Sequence, residues 1–397
     1  MLKKIDLVIL CGGKGTRLGA LTKNIPKPLV KINNKYFLTY LIQFYQKFDF
    51  DNIYLLAGYK GKKIKEKFDK KKFNFIKTFC LIEKKPLGTG GSLNLLKNKI
   101  KNDFLLVNGD SFLQYDLKNF LEKSSNSSIC NIILVNTKTY LENKQLNNLS
   151  VNLKKKVFFK SKSNLMNSGI YLFKKEILKQ IPNKFFSLEQ DLLPDLILKK
   201  KVSGFVEKGF FIDIGTRKRL IYAKKFFNKY FQKPAVFLDR DGVLNEDVGY
   251  LYKYKDFKWK KNIINTLYYI QKKYYIFIVT NQSGIGRKLY KISDFNLLHK
   301  ILKTFLAKRN IFIDDVFYCP HHPYFGKGIF KKNCLCRKPN NLLVTNALSD
   351  WPISRNKSFM IGDKYTDKIC ADLSRIKFFY YSNSLYKEIK LYEREVL

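Results

Sequence analysis

Acidic residues are scarce in this chain of 397 residues: 32 Asp and Glu stand against 76 Lys and Arg, a formal net charge of +44. No apolar run approaches the ~20 residues that cross a bilayer, and the N-terminus lacks the basic, apolar and small-residue segments of a signal peptide. A membrane span is therefore excluded and a cytoplasmic protein expected. The seven cysteines do not make an even set, and three of them (Cys319, Cys334, Cys336) cluster, which favours metal binding over a disulfide framework. Histidine is rarer still: there are three in the chain, and two lie beside that cluster.

The excess of lysine is spread over the whole length, with no nucleic-acid recognition motif and no low-complexity basic tail. Specific nucleic-acid binding is not expected. Small anionic, phosphorylated substrates are the partners such a field favours, and a homo-oligomer is left open. The length allows two domains with cores of their own.

Leu7-Val8-Ile9-Leu10 reads as a buried strand, and Gly12, Gly13 and Gly15 follow it at once with Lys14, Thr16 and Arg17. Closely spaced glycines let backbone N–H groups approach a phosphate, although the spacing fits neither a Walker loop nor the dinucleotide fingerprint. Pro26-Lys27-Pro28 then holds a lysine on a stiffened backbone. Phe104 to Asn108 is a second buried strand, and Gly109-Asp110 ends it.

These segments resemble the sugar-phosphate nucleotidyltransferases, whose opening is a Gly-Gly-x-Gly-Thr-Arg loop followed by Pro-Lys-Pro. Glu83-Lys-Lys-Pro-Leu-Gly88-Thr89-Gly-Gly-Ser92 is similar to the family's nucleobase loop, Asn167-Ser-Gly169-Ile-Tyr to its sugar-binding segment, and Phe211-Ile-Asp213-Ile-Gly-Thr to its second acidic segment. The resemblance implies that Gly12, Gly13, Gly15, Thr16 and Arg17 hold the triphosphate and Lys27 the phosphoryl groups. It further implies that Glu83, Gly88 and Thr89 receive the base, that Asn108, Asn167, Gly169 and Glu189 meet the sugar phosphate, and that Asp110 and Asp213 bind Mg²⁺. A family lysine on the sugar phosphate falls on Lys160 or Lys162, with Lys160 preferred. Where the family has Gly-Lys-Pro this chain has Asn34-Lys35-Tyr36, and Asn tolerates the left-handed backbone that glycine would supply.

A second start lies at Val236-Phe237-Leu238-Asp239-Arg240-Asp241-Gly242, a buried strand that delivers two carboxylates to its C-terminal edge. Strand Ile276 to Val279 runs into Thr280-Asn281-Gln282. Cys336-Arg337-Lys338-Pro339 and Ile361-Gly362-Asp363, then Asp367, complete the set. Cys319, Cys334, Cys336 and one imidazole from His321-His322 offer a tetrahedral Cys₃His zinc site, structural because four protein ligands close the shell.

This half resembles the haloacid dehalogenase phosphatases, in the cap-poor branch with the heptose bisphosphate and histidinol phosphatases. The resemblance implies that Asp239 is the nucleophile and Asp241 the acid and base. Mg²⁺ would sit on Asp239, the backbone carbonyl of Asp241, and Asp363. Thr280, Asn281, Arg287, Arg337 and Lys338 would hold substrate, and His321 would be the zinc ligand. Asp367 is either a supporting acid or a helix cap. Ile285-Gly286-Arg287-Lys288 lacks a glycine that the related loop carries after the arginine.

The fold class expected is α/β, with two doubly wound domains. Residues 1–232 form a Rossmann-like nucleotidyltransferase, and residues 233–397 a haloacid dehalogenase-like phosphatase with minimal cap and zinc loop. The fusion has a chemical reason if the 7-phosphate of heptose 1,7-bisphosphate is removed by one half and the 1-phosphate is joined to a nucleotide, GMP from GTP, by the other. Rival expectations are a histidinol-phosphatase type joined to a transferase for another hexose 1-phosphate, and a non-catalytic N-terminal module.

Overall fold

The computed structural model describes residues 4–136 and 149–396. It divides into two compact units, 1–44 with 50–227, and 45–49 with 228–397. The division falls within the helix Arg217–Phe231, whose mixed basic and apolar residues run on past it and leave no boundary mark in the sequence.

In the first unit β1 (Asp6–Leu10) is central. It pairs in parallel with β2 (Asn52–Ala57) on one side and β4 (Phe104–Asn108) on the other, and β3 (Ile76–Ile82) extends the sheet beyond β2. Leu7, Val8 and Ile9 have no exposed surface. Parallel strands covered on both faces read as unbroken apolar runs, and burying each such side chain contributes about 1.5–3 kcal/mol. β5 (Ser111–Leu113) leaves the end of β4 and pairs with β9 (Phe211–Asp213), which sets Asp213 opposite Ser111. β7 (Leu165–Phe173) runs antiparallel to both β4 and β6 (Cys130–Asn136), and β8 (Val202–Glu207) closes that side.

The ladder between β6 and β7 slips between Asn167 and Tyr171, and Gly169 within the slip has φ +80°. A bulge at this point re-aims the Asn167 segment toward the end of β4. In the Asn33-Asn34 turn both residues have positive φ, 47° and 72°, and join a tight hairpin. The asparagines thus adopt the left-handed backbone that a glycine would have supplied.

The second unit is a five-stranded parallel sheet in the order β12 (Asp315–Cys319), β11 (Tyr275–Asn281), β10 (Ala235–Leu238), β13 (Phe359–Gly362), β14 (Lys377–Tyr380). β10 is the strand where the order reverses, so Asp239 emerges at the switch point where α/β sheets hold ligands. Phe237, Phe277, Met360, Val344 and Trp351 pack the core on one face. Between β10 and the helix Ile263–Ile270 the chain forms one 3₁₀ turn, Tyr254–Asp256, and no inserted domain.

Candidate active sites

In the first unit Gly12 and Gly13 follow β1, and Thr16 and Arg17 lie exposed in a 3₁₀ turn. Gly15 stands at φ +67°, and a Cβ there would lie 3.0 Å from Thr22 Cγ2 and 3.2 Å from Lys27 Cβ, so both backbone and space require glycine. Lys27 is buried in the turn after Pro26, and its ammonium is paired with the Asp110 carboxylate. Burial alone would raise the Asp110 pKa, but the charge and hydrogen bond of Lys27 outweigh it and hold the carboxyl below its ordinary value. Asp213 is placed beside Asp110 by the β5–β9 pairing and by Ile214 N–H donating to Asp110 O at 3.0 Å.

Of the nucleobase-loop residues, Glu83 reaches the β1 and β2 ends, while Gly88 and Thr89 lie against the segment 186–189. Glu83 Oε2 accepts from Leu87 N–H at 3.0 Å, and its other oxygen lies against Gly58 and near Gly12. Burial raises the Glu83 pKa, against the pull of the Leu87 amide. Thr89 Oγ1 donates to Glu189 at 2.7 Å and accepts from Leu188 N–H at 2.9 Å; Gly88 has φ +76°. Asn108 fills the space beside Gly169 that a side chain there would need, and Asn167 Oδ1 accepts from Gly169 N–H at 2.8 Å. Lys160 lies exposed just past the strand Val157–Phe159, and Lys162 in a turn at φ +58°. No hydrogen bond among the described residues brings either lysine to this cluster.

In the second unit Lys338 is 3% exposed, and its Nζ lies 2.9 Å from Asp239 Oδ1 and 2.6 Å from Asp367 Oδ1. Ligand atoms of Asp239, Asp363 and Asp367 all lie within 4.8 Å of one another. Burial pushes Asp239 up to about 7, against Lys338 and helped by Asp367, while Lys338 itself is raised by the two carboxylates that outweigh its own burial. Three carboxylates thus face one ammonium. Asp363 Oδ1 is buried without a hydrogen-bond partner, and Gly242, at φ +90°, leaves the space its carboxylate occupies. That donor set fits a hard divalent cation.

Asp241 points elsewhere. It accepts from Arg240 Nε at 3.0 Å and Nη2 at 2.8 Å, from Asn245 at 3.0 Å and from Gln282 at 2.9 Å. Burial would raise its pKa, but these partners, Arg240 first, hold it below the usual value. Its side chain stands outside the acidic group, where Asp367 takes the third place. Gln282 also donates to Thr280 Oγ1 at 2.9 Å and accepts from Tyr290 at 2.6 Å, so one amide orients both residues. Asp367 does two things at once: it accepts from Lys364 N–H at 3.1 Å as a helix cap and pairs with Lys338.

Arg287 stacks at 4.5 Å from the Phe325 ring centroid and 5.4 Å from that of Tyr250. Lys288, where the related loop has glycine, keeps the left-handed turn at φ +62°. A lysine there costs about 1–2 kcal/mol.

Cys319, His321, Cys334 and Cys336 form one cluster, with Sγ–Sγ distances of 3.2–3.5 Å and His321 Nδ1 at 3.2 Å from Cys336 Sγ. Tetrahedral bonds of about 2.3 Å to sulfur need ligands roughly 3.7 Å apart, so these four could hold a metal after a small outward shift. His322 is committed to the backbone N–H groups of Tyr324 and Phe325. Arg337 Nη1 donates to His321 O at 3.3 Å. A cavity of about 560 Å³ lined by Lys261, Tyr268, Tyr381 and Lys387 holds none of these residues, and its Ser382 and Ser384 are occupied by Glu388.

Sequence reasoning missed Arg219, whose Nη1 grips both oxygens of Asp213, and the pairing of Gln282 with Asp241. Nothing in Arg217-Lys218-Arg219 marks which cation turns inward.

Residues 7–230 match the family model described as nucleotidyl transferase. The D-glycero-alpha-D-manno-heptose 1-phosphate guanylyltransferase of Campylobacter jejuni is 37% identical over 225 residues, 53% of this chain and 95% of that protein. The D-glycero-beta-D-manno-heptose-1,7-bisphosphate 7-phosphatase of Photorhabdus laumondii is 40% identical over 144 residues, 36% of this chain and 77% of that protein. The solved structure of HddC from Yersinia pseudotuberculosis, 32% identical, covers 56% of this chain and 99% of its own, with a TM-score of 0.48.

Proposed function

We propose, because the chain belongs to the nucleotidyl transferase family and to the heptose bisphosphate phosphatases, that it is a bifunctional enzyme of nucleotide-activated heptose synthesis. It removes the 7-phosphate of D-glycero-D-manno-heptose 1,7-bisphosphate and joins the remaining 1-phosphate to GMP from GTP, for surface polysaccharide made from the cytoplasm. Residues 1–232 carry the transfer and 233–397 the hydrolysis. The observation that carries the reading is that one chain holds two lysine–aspartate sets, Lys27 with Asp110 and Lys338 with Asp239, each just past a parallel strand.

In the hydrolysis, an oxygen of Asp239 bonds to phosphorus as the bond to O7 breaks, leaving an aspartyl-phosphate. Asp241 gives a proton to the departing oxygen and takes one from the water that opens the intermediate. Its neighbours hold it ionised at rest, so it gains that first proton only when the anionic substrate lies beside it. Lys338 and Thr280 hold the phosphoryl oxygens, with Arg287 toward the sugar. Asp239, Asp363 and the backbone carbonyl of Asp241 would hold Mg²⁺, which offsets repulsion between carboxylate and phosphate. A structural zinc on Cys319, His321, Cys334 and Cys336 would staple the loop that leads to Lys338.

In the transfer, a 1-phosphate oxygen attacks the α-phosphorus of GTP and pyrophosphate leaves. The amides of Gly12, Gly13 and Gly15, with Thr16 and Arg17, hold the triphosphate, and Lys27 the phosphoryl group in flight. Glu83, Gly88 and Thr89 take the base, and Asn108, Asn167, Gly169, Glu189 and Lys160 the sugar phosphate. Asp110 and Asp213 would hold Mg²⁺, which neutralises charge built up on the phosphates. The two relatives are named for different anomers. Phosphate removal at C7 takes place at the far end of the sugar from C1, so the hydrolytic half can serve the α anomer that the transfer needs.

The test is a substrate panel on the purified chain, following phosphate from the heptose bisphosphate and from histidinol phosphate, and pyrophosphate from heptose 1-phosphate with each of GTP, ATP, CTP and UTP. Faster hydrolysis of histidinol phosphate, or preference for another triphosphate, would sink the corresponding half of the reading.

A further inference from the structure

We infer that Arg219 is a displaceable counter-ion: it occupies Asp213 until nucleotide arrives, then moves onto the triphosphate, so that metal binding at Asp110 and Asp213 depends on nucleotide. The inference rests on the transferase reading above.

Arg219 is 4% exposed, and its Nη1 reaches both oxygens of Asp213; Gly215 N–H donates to Oδ1 as well, at 2.7 Å. Lys27 similarly occupies Asp110, which also accepts from Ser111 at 3.1 Å. Two carboxylates, each paired with a cation, leave no net negative charge among these four groups to draw a divalent ion from water. A metal can enter only if these cations find another anion, and the triphosphate is one.

The second landing place is near. A Cβ on Gly215 would lie 3.4 Å from Arg219 Nη1 and 3.6 Å from Arg17 Nη2. Two guanidinium groups therefore converge on one turn, and one of them belongs to the glycine loop. A guanidinium matches phosphate oxygens with two parallel N–H donors as well as it matches a carboxylate. Arg219 is thus a positioning residue for the metal, and its release makes metal and nucleotide bind cooperatively.

The experiment is a Mn²⁺ titration read by electron paramagnetic resonance, with and without GTP and without sugar. It uses the full chain, zinc-loaded and carrying Asp363→Asn to remove the other acidic set, with added Asp110→Asn as the baseline. A site filled by Arg219 has its apparent affinity reduced by the unfilled fraction, so Arg219→Gln should tighten nucleotide-free Mn²⁺ binding about tenfold. By linkage, the gain in Mn²⁺ affinity that GTP produces should shrink by the same factor. Unchanged nucleotide-free affinity, or equal weakening with and without GTP as a purely structural ion pair would give, overturns the inference. If Arg219→Gln does not fold, Arg219→Lys, which keeps charge but loses the two-pronged grip, should tighten binding about threefold, and no change overturns the inference. Absence of any Asp110-dependent Mn²⁺ signal, even with GTP, would instead overturn the metal assignment beneath it.

Discussion

Asn281 and Lys338 hold each other by a matched pair of hydrogen bonds: Lys338 N–H donates to Asn281 Oδ1 at 3.0 Å, and Asn281 Nδ2 donates to Lys338 O at 3.1 Å. The amide at the end of β11 therefore fixes the backbone from which Lys338 reaches Asp239.

Asn281→Ala should lower phosphate release by about 10–100-fold, because misplacing a charged group by an ångström costs about that much. Transfer from supplied heptose 1-phosphate should be unchanged. Steady-state phosphate and pyrophosphate assays on the same preparation check both, and full phosphatase activity would show that the clamp positions nothing.

Asp239→Asn should reduce phosphate release by at least about 10³-fold, since the nucleophile is lost, and leave transfer intact. Asp110→Asn should do the reverse. Either variant silencing both reactions would contradict two independent centres.

Removing metal from the cysteine cluster with a strong chelator should abolish phosphatase activity that Mg²⁺ alone does not restore, while zinc does. Elemental analysis should find one zinc per chain, and Cys334→Ser should lower the melting temperature of the second unit by several degrees, as a loss of about 2 kcal/mol would. Cys370→Ser, a buried thiol outside the cluster, should keep the zinc.

His299 lies buried against Phe295, and burial first, then Arg240, lowers its pKa to about 3. In the unfolded chain the ring takes a proton near its ordinary 6.5. Between these values the unfolded state binds the extra proton, so stability falls as pH drops from about 6.5 toward 3, by up to roughly 1.4 kcal/mol per unit. Denaturant midpoints across that window should fall less steeply for His299→Gln. Equal slopes would remove His299 as the cause.

Strands and motif positions were legible because buried parallel strands are continuous apolar runs, and several of them, β1, β4, β10 and β13, end at candidate site residues. The left-handed backbone at Asn34 was readable from the family's glycine at that place and the tolerance of asparagine for it, and the cysteine cluster from spacing; that Asn33 shares the conformation was not. Other features were not. Arg219 on Asp213 joins a strand to the third residue of the following helix, and Lys338 on Asp367 joins a loop to the first turn of a distant helix, Tyr365–Leu373. Such pairs depend on which side chain turns inward, and the local sequence is silent about that. The choice between cap and supporting acid for Asp367 had no answer in sequence because the residue is both. The residues alone did not part His321 from His322; the resemblance preferred His321, and in the structure His321 joins the cysteines while His322 accepts from two backbone amides.

The most direct test of the central claim is one incubation of the purified chain with α-anomeric D-glycero-D-manno-heptose 1,7-bisphosphate, Mg²⁺ and GTP, following phosphate, pyrophosphate and nucleotide sugar together. The account predicts that phosphate appears first, and that pyrophosphate and GDP-heptose follow in equal amounts. Phosphate without pyrophosphate, or pyrophosphate from the bisphosphate before any phosphate is released, would contradict it.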